Sequence, residues 1–345
     1  MSRYRIAIVI LNWNGADMMR RFLPSVIAAT GDDGEVIVAD NGSTDDSCGM
    51  LACEFPQVRL IRLPENYGFA EGYNRALAGL DADYYLLLNS DVEVEAGWTD
   101  KLLSFMDAHP EVAACQPKLL SYADRGRFEY AGAAGGYIDR YGYPFCRGRI
   151  FVDVEEDKGQ YDAPASLFWA TGAALMIRRT DWQAAGGLDG RFFAHQEEID
   201  LCWRLRSRGR QIACVPEARV WHVGGASLDQ SNPRKTFLNF RNNLIMLYKN
   251  LPEAELRPVM RLRFWLDWLA ALQFLLKGGF GHARAVWQGR RAFRQMRPQL
   301  AEDRRRNLKA AVSASIPERV GRSLLVDYYL KGRKRFSDLG LDFNL

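Results

Sequence analysis

Acids, amides and glycines in this 345-residue chain collect at five places, most of them directly after a short apolar run. VILNWNG (9–15) carries Asn12 and Asn14, and VADNGSTDDS (38–47) carries Asp40, Asn41 and Ser43. A carboxylate that ends an apolar strand, as Asp40 does, can accept hydrogen bonds from a nucleobase N–H or a ribose hydroxyl. The same residues also build tight turns, because Asn and Asp side chains satisfy nearby backbone there. NYGFAEGYNRAL (66–77) sets Gly68 and Gly72 where backbone could approach a phosphate or ribose closely, with Asn66 and Asn74 as neutral hydrogen-bonding groups. The segment is neither G-x-G-x-x-G nor a P-loop, which excludes those two phosphate-binding modes.

YYLLLNSDVEVE (84–95) runs a strongly apolar strand into Asn89, Ser90 and Asp91. An ionised group beside a buried strand end needs a partner. A hard divalent cation such as Mg²⁺ or Mn²⁺ is one, since Mg²⁺ is typically held by one or two carboxylates plus substrate phosphates. In GLDGRFFAHQEEIDLCWRLRSRG (187–209), Glu197, Glu198 and Asp200 crowd a helix start, where the helix dipole favours negative charge. Asp200 and Arg204 are spaced to pair. The remaining acids repel each other, which raises a pKa and suits a general base. In ARVWHVGGAS (218–227), His222 could ligate a metal or touch a phosphate. A lone histidine or a helix-capping acid has equally plain structural uses.

These groups need a scaffold that brings strand ends together. Strands are expected at Ile6–Leu11, Val36–Ala39, Val58–Leu63 and Tyr84–Leu88, with helices around Met18–Ala29, Asp45–Glu54 and Gly72–Leu80. Continuous apolar strands separated by helices predict a parallel, doubly wound α/β sheet, in which ligands bind where strands end. Residues 121–165, rich in Gly, Tyr and Arg, read as a mobile or β-hairpin insert that could contact a substrate. Regular structure returns with a strand near Ala173–Arg178, a helix from about Glu198 to Arg208 and a strand near Val215–His222. The expected division is a catalytic domain over 1–245 and a helical, amphipathic region over 246–345.

In order and spacing, these motifs, together with TGAALMIRR and FLNFRNNLIMLYKN, resemble the GT-A glycosyltransferases of family 2, and especially the rhamnosyltransferase-like branch, over roughly residues 4–248. The resemblance implies a Rossmann-like, mostly parallel central sheet flanked by helices, with a basic helical C-terminal extension. It implies that Asp40 contacts the donor base or ribose, and that Asn12, Asn14, Asn41, Ser43, Asn66, Gly68, Gly72, Asn74, Asn89 and Ser90 line the nucleotide pocket. Asp91 matches the metal-binding acid of a D-x-D-like motif whose first position is here Asn89, and His222 a histidine near metal and diphosphate. Glu198 takes the place of the catalytic base, usually Asp, with Glu197 and Asp200 left as alternatives. The implied reaction is inverting transfer of a sugar, dTDP-rhamnose first and UDP-sugars as contenders, to an acceptor hydroxyl of a cell-surface polysaccharide or lipid-linked glycan. A sugar-nucleotide nucleotidyltransferase is the rival enzyme, but VILNWNG lacks its Gly-rich phosphate loop and basic residue. A non-catalytic nucleotide-sugar binding protein is the other alternative.

Composition sets outer limits. With 48% hydrophobic residues the chain can bury a large core, and its net charge of +4 is mild. The six cysteines form neither a zinc pattern nor a disulfide framework, which fits a reducing cytosolic compartment. Ile6–Leu11 is too short for a signal segment. No run reaches the ~20 apolar residues of a spanning helix. Residues 257–310 hold 13 Lys or Arg against three acids. Within them FWLDWLAALQFLL (264–276), interrupted by Asp267 and Gln273, reads as a basic, Trp-containing helix lying on an anionic membrane surface. The alternative is a helix packed on the catalytic domain with a solvated basic face. These features place the chain in the cytoplasm at the inner face of the plasma membrane, with self-association through the same helices as a further option. Aromatic residues do not interleave with Arg304, Arg305 and Arg306, so nucleic acid is not expected as a partner.

Overall fold

A computed structural model describes residues 4–224, 232–313 and 315–345. The opening half alternates strand and helix: β1 (Ile6–Asn12), α1 (Ala16–Ala29), β2 (Gly34–Asn41), α2 (Ser47–Glu54), β3 (Arg59–Leu63), α3 (Gly68–Leu77), β4 (Tyr84–Leu88), β5 (Val92–Val94), α4 (Trp98–Ala108) and β6 (Val112–Ser121). Next come short strands β7 (Gly136–Asp139), β8 (Pro144–Cys146), β9 (Arg149–Ile150), β10 (Asp153–Val154) and β11 (Ala165–Ser166). Then follow β12 (Ala174–Arg178), α5 (Arg179–Ala185), α6 (Glu197–Ser207) and β13 (Gln211–His222). The chain closes with α7 (Pro233–Asn250), α8 (Glu253–Leu276), α9 (Phe280–Met296), α10 (Ala301–Ala310) and β14 (Arg319–Val320).

The main sheet runs β11-β13-β6-β12-β4-β1-β2-β3, with β5 pairing β13. The YYLLL of β4 is buried along its whole length. Such runs have side chains buried on both faces, which requires helices on both faces of the sheet. The pairs β1–β2, β1–β4, β2–β3 and β6–β13 are parallel; β12 enters antiparallel between β4 and β6. The register sets Asn12 beside Asp40, Ala174 beside Leu88 and His222 beside Val92. One edge of the sheet therefore collects the polar segments that follow β1, β2 and β4, the start of β12, and the end of β13.

Residues 121–165 form ordered β-structure. Strands β7 to β10 are a meander, and β14 from the far C-terminus adds to it in parallel beside β7. The tail continues back to the main sheet, where Ser166 N donates to Phe343 O at 2.8 Å and Leu345 N to Pro164 O at 3.0 Å. The division expected at 245/246 falls inside α7, and the C-terminal residues are built into the sheet of the insert.

Helix α8 departs from the alternative of a packed helix with a solvated basic face. Asp267 is fully buried, paired with Arg263 at 3.0 Å and with Arg290 of α9. The charge that interrupts the apolar run thus points into the protein, whereas Trp265, Leu269, Leu272 and Leu276 are exposed. Its outward face is apolar, not a solvated basic one.

Candidate active site

The loop after β1 is laced to the loop after β2. Asn12, fully buried, donates through Nδ2 to Asp40 Oδ1 at 3.1 Å and to Ser43 Oγ at 3.2 Å. Asp40 Oδ2 accepts from Ser43 N at 3.1 Å. Asn14 adopts a left-handed conformation, φ 53°, and its Oδ1 accepts from Thr44 N at 2.7 Å. Between them Trp13 stands half exposed.

Asn41 Nδ2 donates to Asn66 Oδ1 at 3.2 Å and to Gly68 O at 3.0 Å. The space beside the two glycines is taken by the chain itself. A Cβ on Gly68, φ +75°, would lie 2.6 Å from Phe193 O, and one on Gly72 would lie 2.9 Å from a Leu11 methyl. Both glycines therefore serve internal packing, where the sequence pointed to close approach by a donor. Asn74 faces away from the strand edge, bracing Leu188 through Nδ2–O and N–Oδ1 hydrogen bonds of 2.8 and 3.0 Å.

At the end of β4, three of the expected residues meet. His222 Nε2 lies 3.1 Å from Asp91 Oδ1 and 3.2 Å from Asn89 Nδ2. Asp91 and His222 are both almost wholly buried. Burial works against ionising either group. For Asp91 the contact with His222 outweighs it and holds the carboxyl below its usual range. For His222 the carboxylates of Asp91 and Glu129 outweigh it and lift the imidazole to about 10. Glu129, in the segment after β6, places Oε1 at 3.4 Å from His222 Nδ1 and anchors Oε2 on Ala131 N at 2.5 Å. Ser90 lies nearby, its Oγ 3.6 Å from where a Cβ on Gly15 would stand.

The donor chemistry of this corner suits a divalent cation. One carboxylate and one imidazole converge; a cation bound at His222 would displace the proton that the two carboxylates hold on the ring, leaving further positions to phosphate oxygens and water. Among the described residues, no cluster of three or more His, Cys, Asp or Glu side chains is placed to hold a cation unaided.

The acidic helix start is joined to this corner through β12. Asn89 N donates to Ala173 O at 3.0 Å, and the Cβ position of the preceding Gly172 lies 3.9 Å from Glu198 Cβ. Glu197 and Glu198 are enclosed, and one carboxyl oxygen of each lacks a hydrogen-bond partner among the described residues. Burial raises both carboxyls above the ordinary range, and the charge of Glu198 raises Glu197 further. Asp200 is placed elsewhere. Fully buried, it accepts from Arg204 Nε at 2.9 Å, Lys249 Nζ at 2.8 Å and Asn250 Nδ2 at 2.8 Å. That cluster ties α6 to α7, so Asp200 has a structural post behind the two glutamates.

The loop that launches the glutamates is strained. Phe193, His195 and Gln196 all have left-handed φ, at 66°, 72° and 71°. Such residues cost on the order of 1–3 kcal/mol each unless the surroundings hold them. Helix α7 supplies the hold. Asn242 Nδ2 donates to the carbonyls of Phe192, Ala194 and His195 at 3.0, 2.8 and 2.8 Å, and Asn243 Nδ2 to Gln196 Oε1 at 2.9 Å. Neither Asn242 nor Glu129 emerged from sequence reasoning. Asn242 lies in a segment that carried a family likeness but no role, and Glu129 is a single acid in an irregular insert.

The fold is a GT-A arrangement. Residues 7–163 match the family described as Glycosyl transferase family 2. Within it the likeness is to the rhamnosyltransferase-like branch. The N-acetylglucosaminyl-diphospho-decaprenol L-rhamnosyltransferase of Mycobacterium tuberculosis is 27% identical over 320 residues, 88% of this chain and 97% of that protein. The O-antigen biosynthesis protein RfbC of Myxococcus xanthus is 28% identical over 65% of this chain, which spans only 18% of RfbC. Among solved structures, GalNAc-T7 with UDP, GalNAc and Mn²⁺ superposes with a TM-score of 0.56 at 15% identity, covering 72% of this chain and 48% of that one. S. aureus TarS 1-349 in complex with UDP-GlcNAc does so with a TM-score of 0.53 at 14% identity, covering 95% and 92%. At these identities the structural likeness speaks for the fold.

Proposed function

We propose that this chain is an inverting, cation-assisted glycosyltransferase that moves a sugar from a nucleoside diphosphate to an acceptor hydroxyl, with Glu198 as base. The observation that carries this reading is the continuity of Asp91, His222 and Asn89 with Gly172 and Glu198 through the start of β12. A corner suited to a divalent cation and a raised carboxyl with one oxygen unpartnered, on one strand edge, suit a reaction in which an anion departs and a proton is taken up.

Glu198 would accept the acceptor's hydroxyl proton as that oxygen bonds to the anomeric carbon. The bond from that carbon to the diphosphate oxygen breaks, and its electron pair leaves with the diphosphate. Attack from the opposite face inverts the centre. Asp91 and His222 would hold Mg²⁺ or Mn²⁺, which supplies charge neutralisation for the leaving diphosphate. Asp40 at the end of β2 would receive the base or ribose, with the exposed Trp13 as a surface for the base to stack on. Asn12, Asn14, Ser43, Asn41 and Asn66 would act by keeping those loops in place, through the hydrogen bonds described above.

The likeness to a decaprenol-linked rhamnosyltransferase supports dTDP-rhamnose ahead of UDP-sugars, and a lipid-linked or cell-surface glycan as acceptor, which would place the chain at the cytoplasmic face of a membrane. The test is incubation of the protein with a panel of nucleotide sugars, with and without Mn²⁺. Cation-dependent release of nucleoside diphosphate supports transfer. Consumption of pyrophosphate instead would mean a nucleotidyltransferase, and binding without release a non-catalytic protein.

A further inference from the structure

We infer that the outer face of α8, continued by the first turns of α9, docks on an anionic lipid surface. This inference deepens the reading of a lipid-linked acceptor by naming the surface that would bring the enzyme to it. Trp265, Leu269, Leu272 and Leu276 follow one stripe at helical spacing, and their exposures are 69, 62, 51 and 80%. Phe280, 71% exposed, and Trp287, 44% exposed, stand on α9, which packs against α8 through Arg290 and Asp267. An ordinary surface helix turns its apolar stripe inward. Here the inward positions are spent on the Arg263–Asp267–Arg290 ion group, so the apolar stripe is left outside. A contiguous exposed apolar patch of this kind marks an interaction surface.

Charge selects the occupant. Exposed cations border the stripe, among them Arg261, Lys277, Arg284 and Arg291. Between Arg257 and Leu300 the one acid is Asp267, and it is buried. Two copies of the chain meeting through this face about a two-fold axis would bring like charges together. An anionic headgroup layer instead meets both features, with tryptophans at the polar–apolar boundary and cations among the headgroups. Among the described residues no helix is long and apolar enough to cross a membrane, so the contact is with its surface. The start of α7 touches α9 beside the stripe: Thr236 Oγ1 lies 2.7 Å from His282 Nδ1.

The test is co-sedimentation of the full chain with phosphatidylcholine vesicles containing or lacking phosphatidylglycerol, with tryptophan emission as a second readout. The expected result is binding to the anionic vesicles, weakened by salt, with a blue shift. A Leu269→Glu/Leu272→Glu variant should lose at least about tenfold in binding. Arg284→Ala should lose about fivefold, and only on anionic vesicles. Equal or absent binding of the unmodified protein to both vesicle types overturns the inference. So does a stable dimer in solution that the Leu269→Glu/Leu272→Glu variant splits, since the face would then belong to a second copy. Donor hydrolysis in lipid-free solution, expected to be unchanged in these variants, reports on the transferase reading separately. Its absence in the unmodified protein would remove that reading while the vesicle result stands on its own.

Discussion

Glu129 Oε1 stands 3.4 Å from His222 Nδ1, on the far side of the imidazole from Asp91, whose Oδ1 is 3.1 Å from Nε2. Histidines that bind metals commonly donate their second ring N–H to a carboxylate, which sets the ring's orientation and tautomer. Glu129→Ala should therefore weaken Mn²⁺ binding by about 10–100-fold. Glu129→Gln, which keeps an acceptor, should lose less. Titration of free Mn²⁺ by electron paramagnetic resonance, with a nucleoside diphosphate present, checks this. An alanine variant that binds Mn²⁺ as tightly as the unmodified protein would remove Glu129 from the site.

Glu198→Gln should lower turnover by about 10²–10⁴-fold, the usual contribution of a general base. In the unmodified protein kcat/KM should rise with pH through a value above the ordinary carboxylate range, because burial raises this carboxyl and only its ionised form accepts a proton. Stability follows the opposite course. A carboxyl whose folded pKa is raised binds its proton more tightly in the folded state, so it stabilises fully below its unfolded pKa and less as pH climbs through the folded one. Glu198→Gln should thus melt higher than the unmodified protein at neutral and alkaline pH, and differ little in acid. A variant with unchanged turnover would rule Glu198 out as base.

Asp200→Asn should behave differently from Glu198→Gln. It leaves Lys249 and Arg204 buried beside a weakened partner, and breaking such groups costs about 3–5 kcal/mol. Chemical denaturation should show the loss. Turnover per folded molecule should stay near that of the unmodified protein, whereas a folded, inactive Asp200→Asn enzyme would return Asp200 to the list of candidate bases.

Asn242→Ala removes the amide that holds the carbonyls of Phe192, Ala194 and His195. The three left-handed residues should relax and displace the glutamates. Misplacement by about 1 Å can cost roughly 10²-fold in rate. The expected signature is a fall in kcat with little change in KM for the donor, read from steady-state kinetics.

Gly68→Ala should destabilise by ~1–3 kcal/mol, since its φ of +75° disfavours any side chain and Phe193 occupies the space. Thermal unfolding reads this directly. A melting temperature equal to that of the unmodified protein would contradict the packing seen there.

Much was legible along the chain because it is local. Apolar runs such as Ile6–Leu11 and Tyr84–Leu88 state strands without reference to anything distant, and the turn residues after them mark where ligands meet a parallel sheet. Motif order was enough to bring out the family likeness, and with it Asp91, His222 and Glu198. Tertiary structure decided what depends on partners far away in sequence. The pairing of Asp200 with Arg204 could be read from a spacing of four, but its burial against Lys249 and Asn250 could not. Gly68 and Gly72 looked open to a ligand until Phe193 and Leu11 were seen against them. Asp267 appeared to interrupt an apolar run, and only its pairing with Arg290 shows that the charge turns inward and leaves the tryptophan stripe outside. Glu129 reached His222 through chain reversal across 93 positions of sequence, a separation over which no periodicity carries information.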